Sequence, residues 1–301
     1  MSGSPNRQWD VVVASACEIG ERPLWDERTG TFVWVDIPTG TVHRTTVGGP
    51  LPWTTASISL GSNVGVAVLR EVGGVAAAVD GNIVFLNEQG EADAEPLTLE
   101  LPTNTMFNDG MCDPRGRFVV GTNSDPAGPP NGVLFSIDTD LTVRVLLTGI
   151  FESNGLDWSI DGKIMYYVDS YESVVRRYEY DVETGSLGQR LADLVSLPTE
   201  QGISDGVIVD EDDSIWVAFW EGSAVRRYSP QGDLIDELIA PVSKLTCPAF
   251  VGPQRDTLVV TSAWQDLSPE QRAAEPWAGH VITTAVDARG RLPFRFGGHR
   301  Q

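Results

Sequence analysis

The sequence predicts an all-β protein built from repeated hairpins, and three observations lead to this prediction. Short segments rich in Val, Trp, Tyr and Phe alternate with clusters of Gly, Asp and Pro, and no stretch has the periodicity of an amphipathic helix. Several segments repeat one pattern: a strand, an acidic or glycine turn, and a second strand. The copies recur roughly every 40 to 50 residues, which indicates a repeat fold.

Six copies of the repeat can be recognised along the chain. The four clearest are WDERTGTFVWVD (25–36), CDPRGRFVVGT (112–122), DWSIDGKIMYYVD (157–169) and VDEDDSIWVAF (209–219). The two weaker copies are REVGGVAAAV (70–79) and VGPQRDTLVVTS (251–262). Their spacing is typical of four-stranded propeller blades. The sequence therefore predicts one domain over residues 1–301, a six-bladed β-propeller with flexible ends at residues 1–8 and 296–301.

The two ends of the chain supply strands outside the six copies. The segment WDVVVAS (9–15) precedes the first copy, and HVITTAVDA (280–288) follows the last. Pairing of these segments in one blade would remove the open edge of an incomplete ring. We therefore predict that the last blade closes the propeller with strands from both ends.

The composition is strongly acidic, because 42 acidic residues against 21 basic ones give a formal net charge of −21. Such a charge repels phosphate backbones and anionic lipids, so we expect no nucleic-acid partner and no membrane contact. The start, MSGSPNRQWD, has no apolar segment, and no stretch is long enough to span a bilayer. Three widely spaced cysteines, Cys17, Cys112 and Cys247, fit core positions in a protein of the reducing cytoplasm.

Oxygen-bearing side chains recur at one phase of the repeat. In four repeats such a side chain lies eight or nine residues before the turn: Glu21, Asn108, Asn154 and Asp205. Propellers bring the start of each innermost strand to one end of a central channel, so we expect these side chains to converge there. Asn154-Gly155 alone would predict the tip of a two-residue hairpin. The shared phase assigns Asn154 to the channel and moves the hairpin turn to Asp161-Gly162.

The four side chains form an oxygen-only set of two carboxylates and two amides. Calcium takes about six to eight oxygen ligands, and water completes a partial set. Since no His or Cys occurs at these positions, one divalent cation is predicted, Ca²⁺ first, with Mg²⁺, Mn²⁺ or Zn²⁺ as alternatives. The other interpretation is that these groups only cap strand ends and hydrogen-bond one another across the channel.

Longer signatures surround these residues: GERPLWDERTGTFVWVDI, FNDGMCDPRGRFVVGT, SNGLDWSIDGKIMYYVDS and SDGVIVDEDDSIWVAFWEGSAVRRYSPQG. They resemble, in the same order, signatures of the senescence-marker-protein, gluconolactonase and luciferin-regenerating-enzyme family. The resemblance implies a six-bladed propeller with one divalent cation in its channel, and many members hydrolyse sugar lactones. It also assigns metal binding to Glu21, Asn154 and Asp205. By the same resemblance, Asn108 lies beside the metal and holds substrate or water.

The chain departs from the sugar-lactone members near this site. Met106 stands where those members often have an arginine that binds sugar hydroxyls, and Asp125 is the only acid in the segment NSDPAGPPNG (123–132). A thioether in place of a guanidinium removes donors and adds apolar surface, so we expect a less polar lactone. The predicted substrate-binding residues are Asn108, Met106, Asn123 and Asp125. Candidates for an apolar wall are Trp220, Trp264 and Trp277.

The predicted function is metal-dependent hydrolysis of a lactone, a small-molecule substrate, with Asp205 as the general base and Asn108 orienting water or substrate. Two alternatives stay open: another metal-dependent reaction, such as phosphotriester hydrolysis or dehydration, and a non-enzymatic propeller that binds calcium or a ligand. A Ser-His-Asp hydrolase has little support, because no G-x-S-x-G motif is present. The oligomeric state is not predicted.

Overall fold

Six antiparallel sheets make up the computed structural model, which describes residues 7–196 and 201–298. The first strand, β1 (Trp9–Val13), belongs to the last sheet. Blade 1 contains β2 (Gly20–Asp26), β3 (Thr31–Asp36), β4 (Thr41–Thr46) and β5 (Thr55–Ser59). Blade 2 contains β6 (Val64–Leu69), β7 (Val75–Val79), β8 (Asn82–Leu86) and β9 (Leu97–Thr98). Blade 3 contains β10 (Met106–Cys112), β11 (Phe118–Asn123), β12 (Gly132–Ile137) and β13 (Val143–Ile150).

The other three blades follow the same order. Blade 4 contains β14 (Ser153–Trp158), β15 (Ile164–Asp169), β16 (Val174–Asp181) and β17 (Ser186–Arg190), and β18 (Val195–Ser196) also pairs with β16. Blade 5 contains β19 (Ile203–Val209), β20 (Ile215–Trp220), β21 (Ala224–Tyr228) and β22 (Leu234–Ile239). Blade 6 contains β23 (Leu245–Val251), β24 (Thr257–Ser262), β25 (Val281–Ala285) and β1. The predicted six-bladed propeller is confirmed.

Blade 6 closes the ring with both ends of the chain. Its strand order is β1-β25-β24-β23, and β1 pairs antiparallel with β25 from Trp9 opposite Thr284 to Val13 opposite Val281. The prediction that the terminal segments share one blade is therefore confirmed.

The innermost strands face the central channel and contact their neighbours around the ring. Strands β2 and β14 are buried at every residue, because both faces of each blade pack against other blades. The predicted hairpin turn at Gly162 joins β14 to β15, and its φ of 72° is a conformation that favours glycine. Between blades the core contains large side chains such as Trp34, Trp158 and Trp216.

Each innermost strand has a β-bulge near its start. The pairing register with the second strand shifts between Glu21/Leu24, Val64/Val66, Phe107/Gly110, Ser153/Leu156, Ser204/Val207 and Leu245/Pro248. A bulge bends its strand and re-aims a side chain. The six bulges lie at equivalent positions, so they redirect side chains at one level of the channel.

The C-terminal segment 289–298 crosses the base of the ring and contacts all six blades. Its polar contacts join Arg289 to Glu211, Gly290 to Arg255, Arg291 to Asp157, Arg295 to Asp26 and Glu27, Phe296 to Leu69 and Glu71, and Gly297 to Gly116. Phe296 is 1% exposed and packs near Phe85 and Phe118. The prediction of a flexible end from residue 296 is therefore wrong at Phe296, because the aromatic ring of this residue is buried in the core. Residues 1–6 and 299–301 of the predicted flexible ends lie outside the described residues.

In the described residues, helical structure is confined to short connections. A 3-10 helix (Ser170–Glu172) follows β15, and α1 (Pro269–Ala274) lies between β24 and β25. The capping box of Ser268 and Gln271 starts α1, which is too short to produce the periodicity sought in the sequence. Over residues 7–196 and 201–298, no helix has the length and apolar character needed to cross a membrane. Cys17, Cys112 and Cys247 are free and buried, as predicted.

Candidate metal centre

The four oxygen-bearing residues predicted from the repeat phase come together at one end of the channel. Asn108, Asn154 and Asp205 lie within the bulges of β10, β14 and β19, and Glu21 immediately precedes the bulge of β2. All four side chains line the same cavity. The one-residue offset of Glu21 in the sequence count thus corresponds to its place just before a bulge.

The side-chain amides of Asn108 and Asn154 form hydrogen bonds to the protein through their nitrogens and not through their oxygens. Asn154 donates through Nδ2 to Ser170 Oγ at 3.1 Å, and Ser170 Oγ donates in turn to the Ser204 carbonyl oxygen at 2.9 Å. Asn108 donates through Nδ2 to the Ser153 carbonyl oxygen at 2.9 Å. Because Ser170 and Ser153 hold the two amide nitrogens, both carbonyl oxygens remain free to bind a ligand.

The two carboxylates lie against each other. Glu21 and Asp205 are within hydrogen-bonding reach, and both are buried. Burial raises the pKa of Glu21, and the nearby negative charge of Asp109 raises this pKa further. Burial also raises the pKa of Asp205 well above its ordinary value, and the charge of Glu21 adds to this effect. Two ionised carboxylates within hydrogen-bonding reach repel each other unless a positive charge lies between them.

These residues fit a hard divalent cation. Among the described residues, Asn154 Oδ1 and Asp205 Oδ1 are buried without a hydrogen-bond partner, and buried oxygens normally have one. Carboxylate and amide oxygens suit calcium or magnesium, whereas zinc sites favour nitrogen and sulfur. No group of three or more His, Cys, Asp or Glu side chains able to hold a metal occurs in the described part of the chain. Glu21, Asn108, Asn154 and Asp205 form the oxygen cluster, which contains only two such side chains because its other two members are amides.

Glycines let neighbouring innermost strands approach at this level. A Cβ on Gly155 would lie 2.4 Å from the Asp205 carbonyl oxygen, and one on Gly206 would lie 2.5 Å from Cys247 Sγ. Gly155 has no positive φ, so the backbone does not need a glycine here for a left-handed turn. Its role is close packing of β14 on β19, which draws Asn154 and Asp205 together.

A second polar layer, the Arg22–Asp109 layer, lies one residue further along the strands. Arg22 donates through Nε to Asp109 Oδ1 at 2.7 Å, through Nη2 to Asp109 Oδ2, and through Nη1 to the Val207 carbonyl oxygen at 3.1 Å. The two side chains are 0% and 1% exposed. Burial alone would lower the pKa of Arg22, but the Asp109 carboxylate raises it well above the ordinary value. One guanidinium thus joins blades 1, 3 and 5 across the channel.

The cavity above the oxygen cluster has a volume of about 630 Å³. Phe151 and Tyr171 stack at one wall with ring centroids 5.2 Å apart, and Trp220 lies at another. Glu152 also lines the cavity, and burial followed by the charge of Asp169 raises its pKa. None of the described lining residues is Lys, Arg or His. The cavity is therefore acidic and partly aromatic.

The predicted substrate-binding residues divide into two groups. Asn108 and Asn123 line the cavity, whereas Met106 and Asp125 are not among its described lining residues. Met106 Sδ accepts from Asn63 Nδ2 at 3.7 Å, and Asp125 Oδ1 accepts from the Ala127 backbone N–H at 2.9 Å.

Of the three tryptophans proposed for an apolar wall, Trp220 is in the cavity lining. Trp264 and Trp277 are not among the described lining residues, and Trp277 packs against the core beside blade 6.

Sequence reasoning missed several residues of the site. Phe151 and Glu152 directly precede the motif SNGL, so a search of the positions flanking each motif could have found them. Tyr171 lies on the 3-10 helix after β15 and has no such signal. Arg22 and Asp109 are inside quoted motifs, but their pairing joins positions 87 residues apart and has no local pattern.

A comparison with protein families identifies the chain. The model of the SMP-30/Gluconolactonase/LRE-like region matches residues 19–264. The chain belongs to this family. Regucalcin from Xenopus laevis is 33% identical over 297 residues, which cover 96% of this chain and 98% of that protein. Human regucalcin is 30% identical, with the same two coverages.

Solved structures of relatives have the same fold as this family member. A luciferin-regenerating enzyme superposes with a TM-score of 0.83 at 28% identity, covering 96% of this chain and 99% of that one. A regucalcin from Agrobacterium tumefaciens, described as a calcium-binding protein, superposes with a TM-score of 0.87 at 25% identity, covering 96% and 97%. The family resemblance stated from the sequence is confirmed over nearly the whole chain.

Proposed function

We propose that this protein hydrolyses a lactone with the help of one divalent cation, Ca²⁺ first among the candidates. The observation that carries the proposal is the pair of buried, unpartnered oxygens, Asn154 Oδ1 and Asp205 Oδ1, in residues that line an open cavity. Glu21, Asn154 and Asp205 would hold the cation, and Asn108 stands beside them. Membership of a family that includes gluconolactonases supports the reaction class.

When bound, such a cation supplies Lewis-acid polarisation of an ester carbonyl. Asp205 is the candidate general base, because its carboxylate lies in the cavity lining and can accept a proton from an attacking water. Asn108, whose Nδ2 is held by Ser153, would orient that water or the lactone through its free oxygen.

The overall step is a hydrolysis that opens the ring. The water oxygen forms a bond to the carbonyl carbon, and the bond from that carbon to the ring oxygen breaks. The proton accepted by Asp205 then passes to the departing ring oxygen, which becomes a hydroxyl group. The product is a hydroxy acid, and the carboxyl proton is lost to solvent at neutral pH.

The walls of the cavity favour an uncharged lactone with an apolar part. Four described lining residues are acidic, namely Glu21, Glu152, Asp205 and Asp266. With no Lys, Arg or His among the described lining residues, an anionic substituent such as phosphate would be repelled. Phe151, Tyr171 and Trp220 offer aromatic surface to an apolar group.

The test is turnover of a lactone panel by protein freed of metal and then supplied with Ca²⁺, Mg²⁺, Mn²⁺ or Zn²⁺. The panel pairs neutral lactones that carry apolar substituents with a sugar lactone and a phosphorylated lactone. Activity that depends on added cation and is highest on the neutral apolar members is expected. Activity that survives thorough chelation would contradict the metal-dependent mechanism.

A second candidate function is calcium binding without catalysis, which the similarity to a regucalcin described as a calcium-binding protein favours. Cation binding without turnover of any lactone, aryl ester or phosphotriester would support this candidate. Turnover of the phosphotriester alone would instead indicate a different reaction on the same scaffold. We also propose a cytoplasmic location, which three widely spaced cysteines without a disulfide support.

A further inference from the structure

The Arg22–Asp109 layer is coupled to the oxygen cluster through Glu21. The backbone N–H of Arg22 donates to Glu21 Oε2 at 2.5 Å. Arg22 itself has a φ of 43°, a left-handed conformation that is disfavoured for residues other than glycine. The bonds of its guanidinium to Asp109 and Val207 hold it there. The guanidinium, this backbone conformation and the Glu21 carboxylate are thus one connected unit.

The charges of the two layers add to minus two. Glu21, Asp205 and Asp109 each carry one negative charge when ionised, and Arg22 carries one positive charge. All four residues are at most 6% exposed, so water compensates little of this charge. A divalent cation brings the sum over these four groups to zero, whereas a trivalent cation leaves an excess positive charge on them. Glu152, which also lines the cavity, lies outside the two layers and contributes the same charge whichever of the four groups is changed.

We infer that Arg22 is a positioning residue that sets the charge selectivity of the cation site. By neutralising Asp109, Arg22 leaves a net charge of minus two on the buried groups and so favours divalent over trivalent cations. Its backbone N–H fixes Glu21 in place at the same time. This inference rests on the cation site of the proposed function and adds a role for residues beyond the ligands.

The experiment compares dissociation constants for Ca²⁺ and La³⁺, measured by isothermal titration calorimetry on the full chain. The variants are Arg22→Met, Asp109→Asn, the double variant with both changes, and Arg22→Lys. The quantity to follow is the ratio of the Ca²⁺ constant to the La³⁺ constant. A loss of packing alone weakens both ions together and has no reason to move this ratio.

The inference predicts opposite shifts for the two single variants. Arg22→Met makes the charge on the buried groups more negative, from minus two to minus three. The ratio should therefore rise at least about tenfold in favour of La³⁺. Asp109→Asn lowers the charge to minus one, so the ratio should fall. The double variant restores minus two and should return near the wild-type ratio. Arg22→Lys keeps the charge and should keep the ratio.

Shifts in the same direction for both single variants, or an unchanged ratio in both, would overturn the role of Arg22. If circular dichroism shows that Arg22→Met does not fold, Asp109→Asn decides, because the inference requires its ratio to fall. Wild-type protein that binds neither ion would instead contradict the cation site of the proposed function. The two failures are therefore distinguishable.

Discussion

The two layers of the central channel contain similar polar groups but pair them differently. In the Arg22–Asp109 layer, the guanidinium and the carboxylate bond to each other, to the Val207 oxygen and to the Gly110 backbone N–H. In the oxygen cluster, Asn154 Oδ1 and Asp205 Oδ1 have no partner among the described residues. A buried unpaired polar group costs about 1–3 kcal/mol of stability. The first layer is therefore complete by itself, and the second is completed by a ligand.

The largest expected effect comes from breaking the paired layer. Asp109→Ala leaves the Arg22 guanidinium buried without its counter-charge, so the free energy of unfolding should fall by about 3–5 kcal/mol. Denaturant unfolding of cation-free protein measures this change. Asp205→Asn is the comparison variant in the oxygen cluster, and it should cost less than about 1 kcal/mol because it removes charge repulsion with Glu21. Equal losses in both variants would contradict the contrast between the layers.

The Asp205→Asn variant, which should be nearly neutral for stability, should have a large effect on catalysis. At saturating cation, Asp205→Asn should lower kcat at least about 100-fold, because an amide cannot accept the proton of the attacking water. Steady-state kinetics on the best lactone of the panel measures the loss. Glu95→Gln, which changes an exposed carboxylate of blade 2, is the control and should leave kcat unchanged. Full turnover by Asp205→Asn would remove Asp205 from the role of base.

Cation addition should stabilise the folded protein through the oxygen cluster alone. At a free Ca²⁺ concentration of about 100 times the dissociation constant, the free energy of unfolding should rise by about 2.7 kcal/mol. Asn154→Leu removes an unpartnered oxygen and should abolish most of this rise at the same concentration. Thermal unfolding with and without chelator measures both proteins. A rise that persists fully in Asn154→Leu would place the bound ion elsewhere.

The smallest effect is expected at the aromatic wall. Tyr171 is 57% exposed and stacks on Phe151, so Tyr171→Ala removes apolar contact with a substrate but leaves the oxygen cluster intact. We expect KM for an apolar lactone to rise by a factor of about 5, equivalent to about 1 kcal/mol, with little change in kcat. Tyr171→Phe retains the ring and should behave as wild type. A change confined to kcat would argue against substrate contact.

The repeat and the oxygen cluster could be predicted from the sequence because both are periodic along the chain. Turn residues such as Gly162 mark each hairpin, and Asn108, Asn154 and Asp205 keep a constant distance from them. The bulges that aim these side chains inward could not be predicted, since a bulge depends on pairing with the second strand. The same limit applies to Arg22, whose partner is Asp109 in another blade.

The residues that line the cavity and the course of the C-terminal segment could not be predicted from short sequence motifs, for a related reason. Met106 and Asp125 are close in sequence to Asn108 and Asn123, yet only the latter two line the cavity. Alternation along a strand and turn geometry decide which neighbours face inward. Segment 289–298 has no strand or helix period, because its contacts are made one residue at a time with six separate blades.

That segment also determines when the ring can be finished during synthesis. Strand β1 is made before the other described strands, yet its partner β25 ends at Ala285, and the segment that crosses the base comes later still. The five blades that precede blade 6 can form before either contact exists. The edge of β1 therefore stays unpaired until β25 has been made, and the base of the channel stays open to water until segment 289–298 has been made.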